Sequence, residues 1–251
     1  MLSAAEAGAP LGSVYVAREQ TAGRGRRGRA WIADPGKALV FSLLWAFPMA
    51  PAALNGLSLA VGVAIMRALA NPLLGAHKTG TQIGLKWPND ILLRQAHGID
   101  SKLGGILIES TLREDAFGVR ETAVVIGIGL NCLASDALQS IVADQPVASL
   151  NDAYVSFDAL GPDQLLPVLL DSLVDTLALF AENGFTALRD EWQAANLWHN
   201  EPVRVSESGT MLLDGLMHGV DVDGALCIAT PSGIERVITG DVSLRKGIVA
   251  A

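Results

Sequence analysis

The sequence predicts an α/β (α+β) fold, in which helices pack on a mixed β-sheet and a small β-barrel follows at the C-terminal end. Half of the 251 residues are hydrophobic and 18% are charged, against about 25% charged in an average soluble domain. This composition excludes a disordered chain and favours strands that are buried on both faces. The hydropathy pattern changes near residue 198, where long apolar runs are replaced by short ones. We therefore predict one domain over 1–197 and a small barrel over 198–251.

The first elements are a short helix at Leu2–Glu6 and a strand at Val14–Arg18. Residues 20–36 are rich in glycine and arginine and show no period, which predicts a loop. Leu39–Phe47 is predicted to be a buried strand. Apolar residues at helical spacing predict a helix over Leu54–Leu69.

No charged residue occurs between Ala38 and Met66, a length that would cross a bilayer. Pro48, Pro51 and Asn55 interrupt this stretch, and proline breaks both helices and strands. We therefore expect a strand, a turn and a buried helix, and no membrane partner.

The middle of the domain is predicted to be β-structure. Ile83–Trp87 and Ile91–Leu93 are short strands, and Lys102–Glu109 and Thr122–Ile128 are longer apolar ones. The polar segment between the longer strands, 112–118, predicts a hairpin connection.

Residues 134–162 are predicted to be irregular, and helices are predicted at Leu165–Phe180 and Phe185–Asn196. Turn signals then divide the short strands of the barrel, which are Val203–Val205, Met211–His218, Leu226–Ala229 and Ile234–Ile238.

The chain carries 26 acidic and 18 basic side chains, a net charge of −8. A field of this sign repels phosphate backbones, so we expect no nucleic-acid partner. Two distant cysteines and four scattered histidines give no metal-ligand spacing, so no metal site is predicted by direct motif. The first cationic side chain is Arg18, which argues against a secretory signal and for a cytoplasmic protein.

The strongest local signal is the segment from Gln20 to Trp31, Gln-Thr-Ala-Gly-Arg-Gly-Arg-Arg-Gly-Arg-Ala-Trp. Its glycines let the backbone turn tightly and aim N–H groups at an anion. Its arginines carry a permanent charge and bind carboxylate or phosphate bidentately. The alternative is a solvated basic loop, as in RGG-type nucleic-acid segments.

Three further motifs lie at strand ends. Lys86-Trp87-Pro88-Asn89-Asp90 offers an amide and a carboxylate, which elsewhere form an ordinary Asx turn. Lys102 precedes Gly104 and Gly105, where a ligand can lie against the backbone, although a strand-end lysine also snorkels to water. Gly127 and Gly129 make room beside Asn131, but this pattern alone is a weak motif.

In their order and spacing, these four motifs resemble those of biotin protein ligases of the monofunctional type, which lack an N-terminal DNA-binding domain. The closing run from Gly240 to Arg245, Gly-Asp-Val-Ser-Leu-Arg, is similar to the family's C-terminal SH3-like barrel. The resemblance implies two steps. Biotin and ATP form biotinyl-5'-AMP, and the biotinyl group then passes to a lysine of a biotin carboxyl carrier protein domain of a carboxylase. ATP, Mg²⁺ carried by ATP, and biotin are thus the implied small molecules.

The resemblance also implies roles for individual residues. The pocket for biotin and the acyl phosphate would be lined by Gln20, Thr21, Gly25, Arg26, Arg27, Lys102 and Gly105. ATP would be bound by Arg24, Arg29, Trp31, Asn89, Asp90 and Asn131, with Trp31 stacked on adenine. Lys102 and Arg26 would be catalytic, and Asp90 would be a candidate base for the acceptor lysine.

The family also has a strand and a Ser-Thr-Asn-type segment before its first helix. The given sequence begins inside that helix, at Met1-Leu2-Ser3-Ala4, so the corresponding biotin contact is assigned to no residue. This leaves a catalytically impaired biotin-binding protein as one alternative. The other alternative is a related acyl ligase of the lipoate type. Homodimerisation is left open.

Overall fold

The computed structural model describes residues 1–114, 118–135, 138, 145–207, 210–238 and 242–247. Gly240 and Asp241 of the closing motif lie outside these residues. The described helices are α1 (Leu2–Glu6), α2 (Leu57–Leu69), α3 (Leu150–Ala153), α4 (Pro162–Asn183) and α5 (Arg189–Ala195). The described strands are β1 (Val14–Ala17), β2 (Ala38–Phe47), β3 (Gln82–Lys86), β4 (Asp90–Arg94), β5 (Asp100–Glu114), β6 (Arg120–Asn131), β7 (Pro202–Glu207), β8 (Thr210–Val220), β9 (Leu226–Thr230), β10 (Gly233–Val237) and β11 (Val242–Lys246).

The first six strands form one sheet in the order β1-β2-β6-β5-β4-β3. All neighbouring strands in it are antiparallel. The prediction of a mixed sheet is therefore wrong for the described strands. Parallel pairing occurs there in isolated bridges, such as Leu85 with Asn196 and Lys102 with Val147. The second sheet has the order β10-β9-β8-β7-β11 and is also antiparallel. The predicted α+β class with a small C-terminal barrel-like unit is confirmed.

Helices cover both faces of the first sheet. On one face, α2 and α4 pack together and against the strands, and α1 closes the other face over a small cluster that contains Ala5 and Val125. By length and composition alone, two described helical stretches could span a bilayer, Pro51–Leu69 and Pro162–Asn183. Both stretches contribute apolar side chains to the protein core.

Several element ends differ from the sequence predictions. The helix predicted from Leu54 begins at Leu57, because Pro51–Leu54 forms a separate 3₁₀ turn and Gly56 adopts a φ of 80°. Strand β5 runs on to Glu114, into the segment predicted to be a connection; residues 115–117 of that segment lie outside the described residues. Helix α3 falls within the stretch predicted to be irregular.

The second sheet packs closely on the first unit beside α2. The buried indole of Trp87 donates a hydrogen bond to the carbonyl of Gly224, at 3.1 Å. Gly224 has a φ of 79°, and a Cβ there would lie 2.8 Å from the Cα of Gly56. Only glycine fits this approach of two backbones, which fixes the position of the β8–β9 turn.

A second set of contacts joins the two sheets through Asp100. Its carboxylate accepts hydrogen bonds from Arg94, from Lys246 and from the Trp198 indole, and Glu201 pairs with both cations. Burial alone would raise the pKa of Asp100, but these donors outweigh it and lower that pKa to about 2. The carboxylate is therefore ionised in the folded protein throughout the neutral range.

Candidate active site

One cavity of about 560 Å³ lies over the first sheet, between the arginine-rich loop and the ends of β4, β5 and β6. Its volume suits a small organic ligand. Most residues singled out by the sequence line it: Gln20, Arg24, Gly25, Arg26, Arg29, Trp31, Asn89, Asp90, Lys102, Gly105 and Asn131. The structure thus brings four motifs that are distant in sequence to one place.

The floor of the cavity is a row of directly paired residues that crosses three strands. Asp90 on β4 faces Gly105 on β5, and Gly105 faces Gly129 on β6. Paired residues in antiparallel strands project from the same face of the sheet. Two of the three lack a side chain, so the middle of the row is flat.

The indole of Trp31 lies on this glycine floor. A Cβ at Gly129 would come within 2.6 Å of the ring, and a Cβ at Gly105 within 3.4 Å. The ammonium of Lys102 is 5.7 Å from the ring centroid. The absence of a side chain at Gly129 therefore allows a flat group to lie against the backbone, beside a cation.

The arginine-rich loop folds back on itself as a narrow hairpin. The backbone N–H of Trp31 donates to Gly23, that of Gly25 donates to Arg29, and Arg24 bridges to Ala30. A Cβ at Gly23 would lie 2.3 Å from the Trp31 carbonyl oxygen, so this crossing requires glycine. The hairpin holds the loop over the cavity in a defined shape.

Two arginines of the loop reach strands of the sheet. Arg24 pairs with Glu109 at 2.9 Å, and Arg26 Nη1 lies 3.5 Å from Asn89 Oδ1. The Asn89 amide also donates to the carbonyl of Ile106, at 2.8 Å. Asn89 is thereby fixed between the loop and β5.

Lys102 belongs to a cluster of three charged side chains. Its ammonium lies 2.5 Å from Asp90 Oδ1, and the ammonium of Lys86 lies 3.2 Å from Asp90 Oδ2. The exposed fractions of the side chains are 26% for Lys102, 13% for Asp90 and 7% for Lys86. Lys102, on the cavity side, is the most accessible of the three.

The two lysines control the protonation of Asp90. Burial by itself would raise the pKa of Asp90, but the neighbouring ammonium groups of Lys102 and Lys86 lower it below its ordinary value. Both carboxylate oxygens already accept hydrogen bonds. A carboxylate in this state is a weak base, so the geometry favours a positioning role for Asp90 over proton abstraction.

Two cavity-lining side chains have a buried polar atom with no hydrogen-bond partner among the described residues. They are Trp31, through Nε1, and Asn131, through Oδ1. The amide nitrogen of Asn131 donates to the carbonyls of Lys102 and Ala148. A buried group left unsatisfied is costly, so these two atoms require a partner that the described protein groups do not supply.

Two predicted site residues, Thr21 and Arg27, do not line this cavity. The sequence reasoning also missed two positions. Arg245 reaches the cavity from β11 of the second sheet, although it is distant in sequence from every other lining residue. Lys86 contacts Asp90, and its place in the Lys-Trp-Pro-Asn-Asp run was the only signal for it.

The site concentrates positive charge in an otherwise acidic chain. Three loop arginines (Arg24, Arg26 and Arg29) and Lys102 line one cavity, which can hold two anionic groups against their mutual repulsion. Asn89 and Asn131 add neutral polar contacts.

The sequence matches the Biotin/lipoate A/B protein ligase family over residues 5–131 and the Biotin protein ligase C terminal domain over residues 199–245. It is 34% identical over 236 residues to the bifunctional ligase/repressor BirA of Escherichia coli, covering 94% of this chain and 67% of that protein. The chain belongs to the biotin/lipoate A/B protein ligase family.

Two other members of this family align with this chain over most of their own length as well as most of its length. The biotin–[acetyl-CoA-carboxylase] ligase of Paracoccus denitrificans is 31% identical, over 92% of this chain and 90% of that protein. The corresponding ligase of Mycobacterium tuberculosis is 33% identical, over 96% and 83%. Among solved structures, the biotin protein ligase from Aquifex aeolicus in complex with biotin and ATP aligns with a TM-score of 0.73 and 26% identity, over 95% of this chain and 90% of that one.

Proposed function

We propose that this chain is an ATP-dependent biotin–[acetyl-CoA-carboxylase] ligase. It activates biotin to biotinyl-5'-AMP and transfers the biotinyl group to a lysine of a biotin carboxyl carrier protein domain. The observation that carries the proposal is the convergence of Lys102 and three of the loop arginines on one cavity. The relatives' names and the biotin and ATP in the Aquifex structure support it.

In the first step, the carboxylate of biotin attacks the α-phosphorus of ATP, and pyrophosphate leaves. The two reactants repel each other, by several kcal/mol for close charges at an effective dielectric of about 20. Lys102 bridges the carboxylate and the phosphate, and Arg26 holds the acyl phosphate from the loop side. Asp90 fixes the Lys102 ammonium at 2.5 Å and so removes the entropy cost of positioning it.

In the second step, the carrier lysine attacks the acyl carbon of the adenylate, and AMP leaves. This lysine must first release a proton to solvent, because only about 0.04% of a free lysine is neutral at pH 7. The net positive charge around Lys102 and the loop favours the neutral amine over the ammonium ion near the adenylate. Asp90 contributes by holding the Lys102 ammonium in position.

The nucleotide contacts follow from the same geometry. Trp31 and Asn131 line the cavity and each has a buried polar atom without a partner among the described residues. We assign them, with Arg24, Arg29 and Asn89, to ATP. The described residues contain no group of three or more His, Cys, Asp and Glu side chains that could hold a metal ion. Mg²⁺ is therefore assigned to the phosphates of the incoming ATP.

Further parts of the proposal concern the environment of the protein. We place it in the cytoplasm, without membrane or nucleic-acid partners, because its apolar helices contribute to the core and its net charge is −8. We include homodimerisation because β1 is an edge strand with Tyr15 and Val16 exposed, and edge strands pair readily. Sedimentation velocity tests homodimerisation, and a salt-dependent gel shift tests nucleic-acid binding.

The activity is tested by ATP–pyrophosphate exchange in the presence of biotin, with lipoate in a parallel reaction. Exchange that depends on biotin, together with labelling of a purified carrier domain, is the expected result. Exchange with lipoate alone would support the lipoate-type alternative. Biotin binding without exchange would identify an impaired, binding-only protein and overturn the proposal.

A further inference from the structure

A buried lysine that does not line the cavity is directly paired with the first residue of the row that forms the cavity floor. Lys86, at the end of edge strand β3, faces Asp90 across the ladder, and Asp90 faces Gly105 on the floor of the cavity. The Lys86 ammonium contacts the Asp90 oxygen that Lys102 does not use. Lys86 therefore lies on the opposite side of Asp90 from Gly105, next to the row that forms the floor.

The surroundings of Lys86 are built for a cation. Its ammonium is 4.8 Å from the centroid of the Trp198 ring, a distance suited to a cation–π contact. The indole is held in place because its N–H donates to Asp100 at 2.9 Å. Burial and the positive charges of Lys102 and Arg245 lower the pKa of Lys86 below its ordinary value, and the contact with Asp90 opposes this shift.

The charges of the cluster explain why a second lysine is needed. Asp90 and Lys102 alone are one carboxylate and one ammonium, with a net charge of zero. With Lys86 included, two ammonium groups and one carboxylate give a net charge of +1. Without Lys86, the carboxylate that positions Lys102 would also cancel its charge.

We infer that Lys86 is a positioning residue that offsets the charge of Asp90, so that Lys102 presents a net positive charge to the substrate's carboxylate. This inference rests on the proposed function, which supplies that carboxylate. It predicts selectivity for an anionic over a neutral ligand of the same shape. A unit charge about 8 Å from the carboxylate, at an effective dielectric of about 20, changes its affinity roughly 30-fold.

The test compares biotin with its alcohol analogue, in which CH₂OH replaces the carboxylate, by titration calorimetry on the full chain. The measured quantity is the ratio of the two affinities. In Lys86→Met the ratio should fall roughly 30-fold, while the alcohol still binds as it does to the wild type. Unchanged alcohol binding also reports that the variant is folded.

The double variant Lys86→Met/Asp90→Asn separates charge from structure. Lys102 alone again gives a net charge of +1, so the ratio should return towards the wild-type value. If Lys86 only supported the fold, the second substitution would lower the affinity ratio further instead of restoring it. The matched control is Lys246→Met, since Lys246 lies 5.8 Å from the same Trp198 ring and pairs with Asp100 and Glu201. Its ratio should fall far less than in Lys86→Met, because the Lys246 side chain is 41% exposed and its charge is screened by solvent.

Three results would overturn the inference: an unchanged ratio in Lys86→Met, whether or not both affinities fall, a double variant whose ratio stays as low, or an equal fall in Lys246→Met. If the wild-type protein bound neither ligand, the proposed function itself would fail, and the inference with it.

Discussion

Replacing Gly129 by alanine adds one methyl group to the floor of the cavity. The new Cβ would lie 2.6 Å from Cε2 and Cζ2 of the Trp31 ring and 2.8 Å from its Nε1. Carbon atoms in contact are ordinarily about 3.5 to 4.0 Å apart, so the indole must retreat by about 1 Å. The ring is at the end of a side chain, and it can retreat into the cavity at little cost to the fold.

This displacement should impair the reaction far more than the stability. A misplacement of about 1 Å can cost about 100-fold in rate, and we expect a loss of that order in the kcat/KM for biotin-dependent ATP–pyrophosphate exchange. The free energy of unfolding in urea should change by less than about 1 kcal/mol. Gly105→Ala is the comparison, since its Cβ would lie 3.4 Å from the ring, an ordinary contact. Wild-type exchange by Gly129→Ala would refute the glycine-floor reasoning.

Three further predictions concern the loop and the contact between the two sheets. Arg26→Gly removes a guanidinium from the cavity, and because a hydrogen bond to a charged group contributes about 1.5–3 kcal/mol, the adenylate should dissociate roughly 10- to 100-fold faster; full retention of adenylate after gel filtration would contradict this. Asp100→Asn should lower the free energy of unfolding by about 2 kcal/mol at pH 7. Because the Asp100 pKa is about 2 in the folded protein and 3.8 ordinarily, that difference should persist above pH 4 and vanish as the pH falls towards 2 in urea titrations; a difference independent of pH would be inconsistent with the ion-pair account. Trp87→Phe leaves the Gly224 carbonyl without its 3.1 Å donor and should cost about 1–3 kcal/mol, measured by thermal unfolding; an unchanged Tm would show that the contact is unimportant.

Local patterns were enough to predict most of the first unit. The charge-free run around β2 and α2 had apolar residues at strand and helical spacing, and both elements form there. Helix ends were less predictable, because α2 begins only after a 3₁₀ turn and the left-handed residue Gly56. Such ends depend on which turn the neighbouring elements accommodate.

The cavity could be predicted as a set of residues but not as an arrangement. The pairing of Asp90 with Gly105 depends on a register shift between Ile91 and Leu92 that no local pattern indicates. Arg245 enters the cavity from the second sheet, and a contact over such a sequence distance has no local signature. The state of Asp90 likewise depends on Lys86, which belongs to the same short motif but whose contact with Asp90 follows from the pairing of β3 with β4.

The central claim is that the loop arginines and Lys102 act on the same ligand. The most direct measurement is a crystal structure of the protein with a non-hydrolysable biotinyl-adenylate analogue. We predict that the Lys102 ammonium and the Arg26 guanidinium both lie within hydrogen-bond distance of the acyl-phosphate linkage. An analogue bound with these two cations on separate parts of the protein, or bound outside this cavity, would contradict the account.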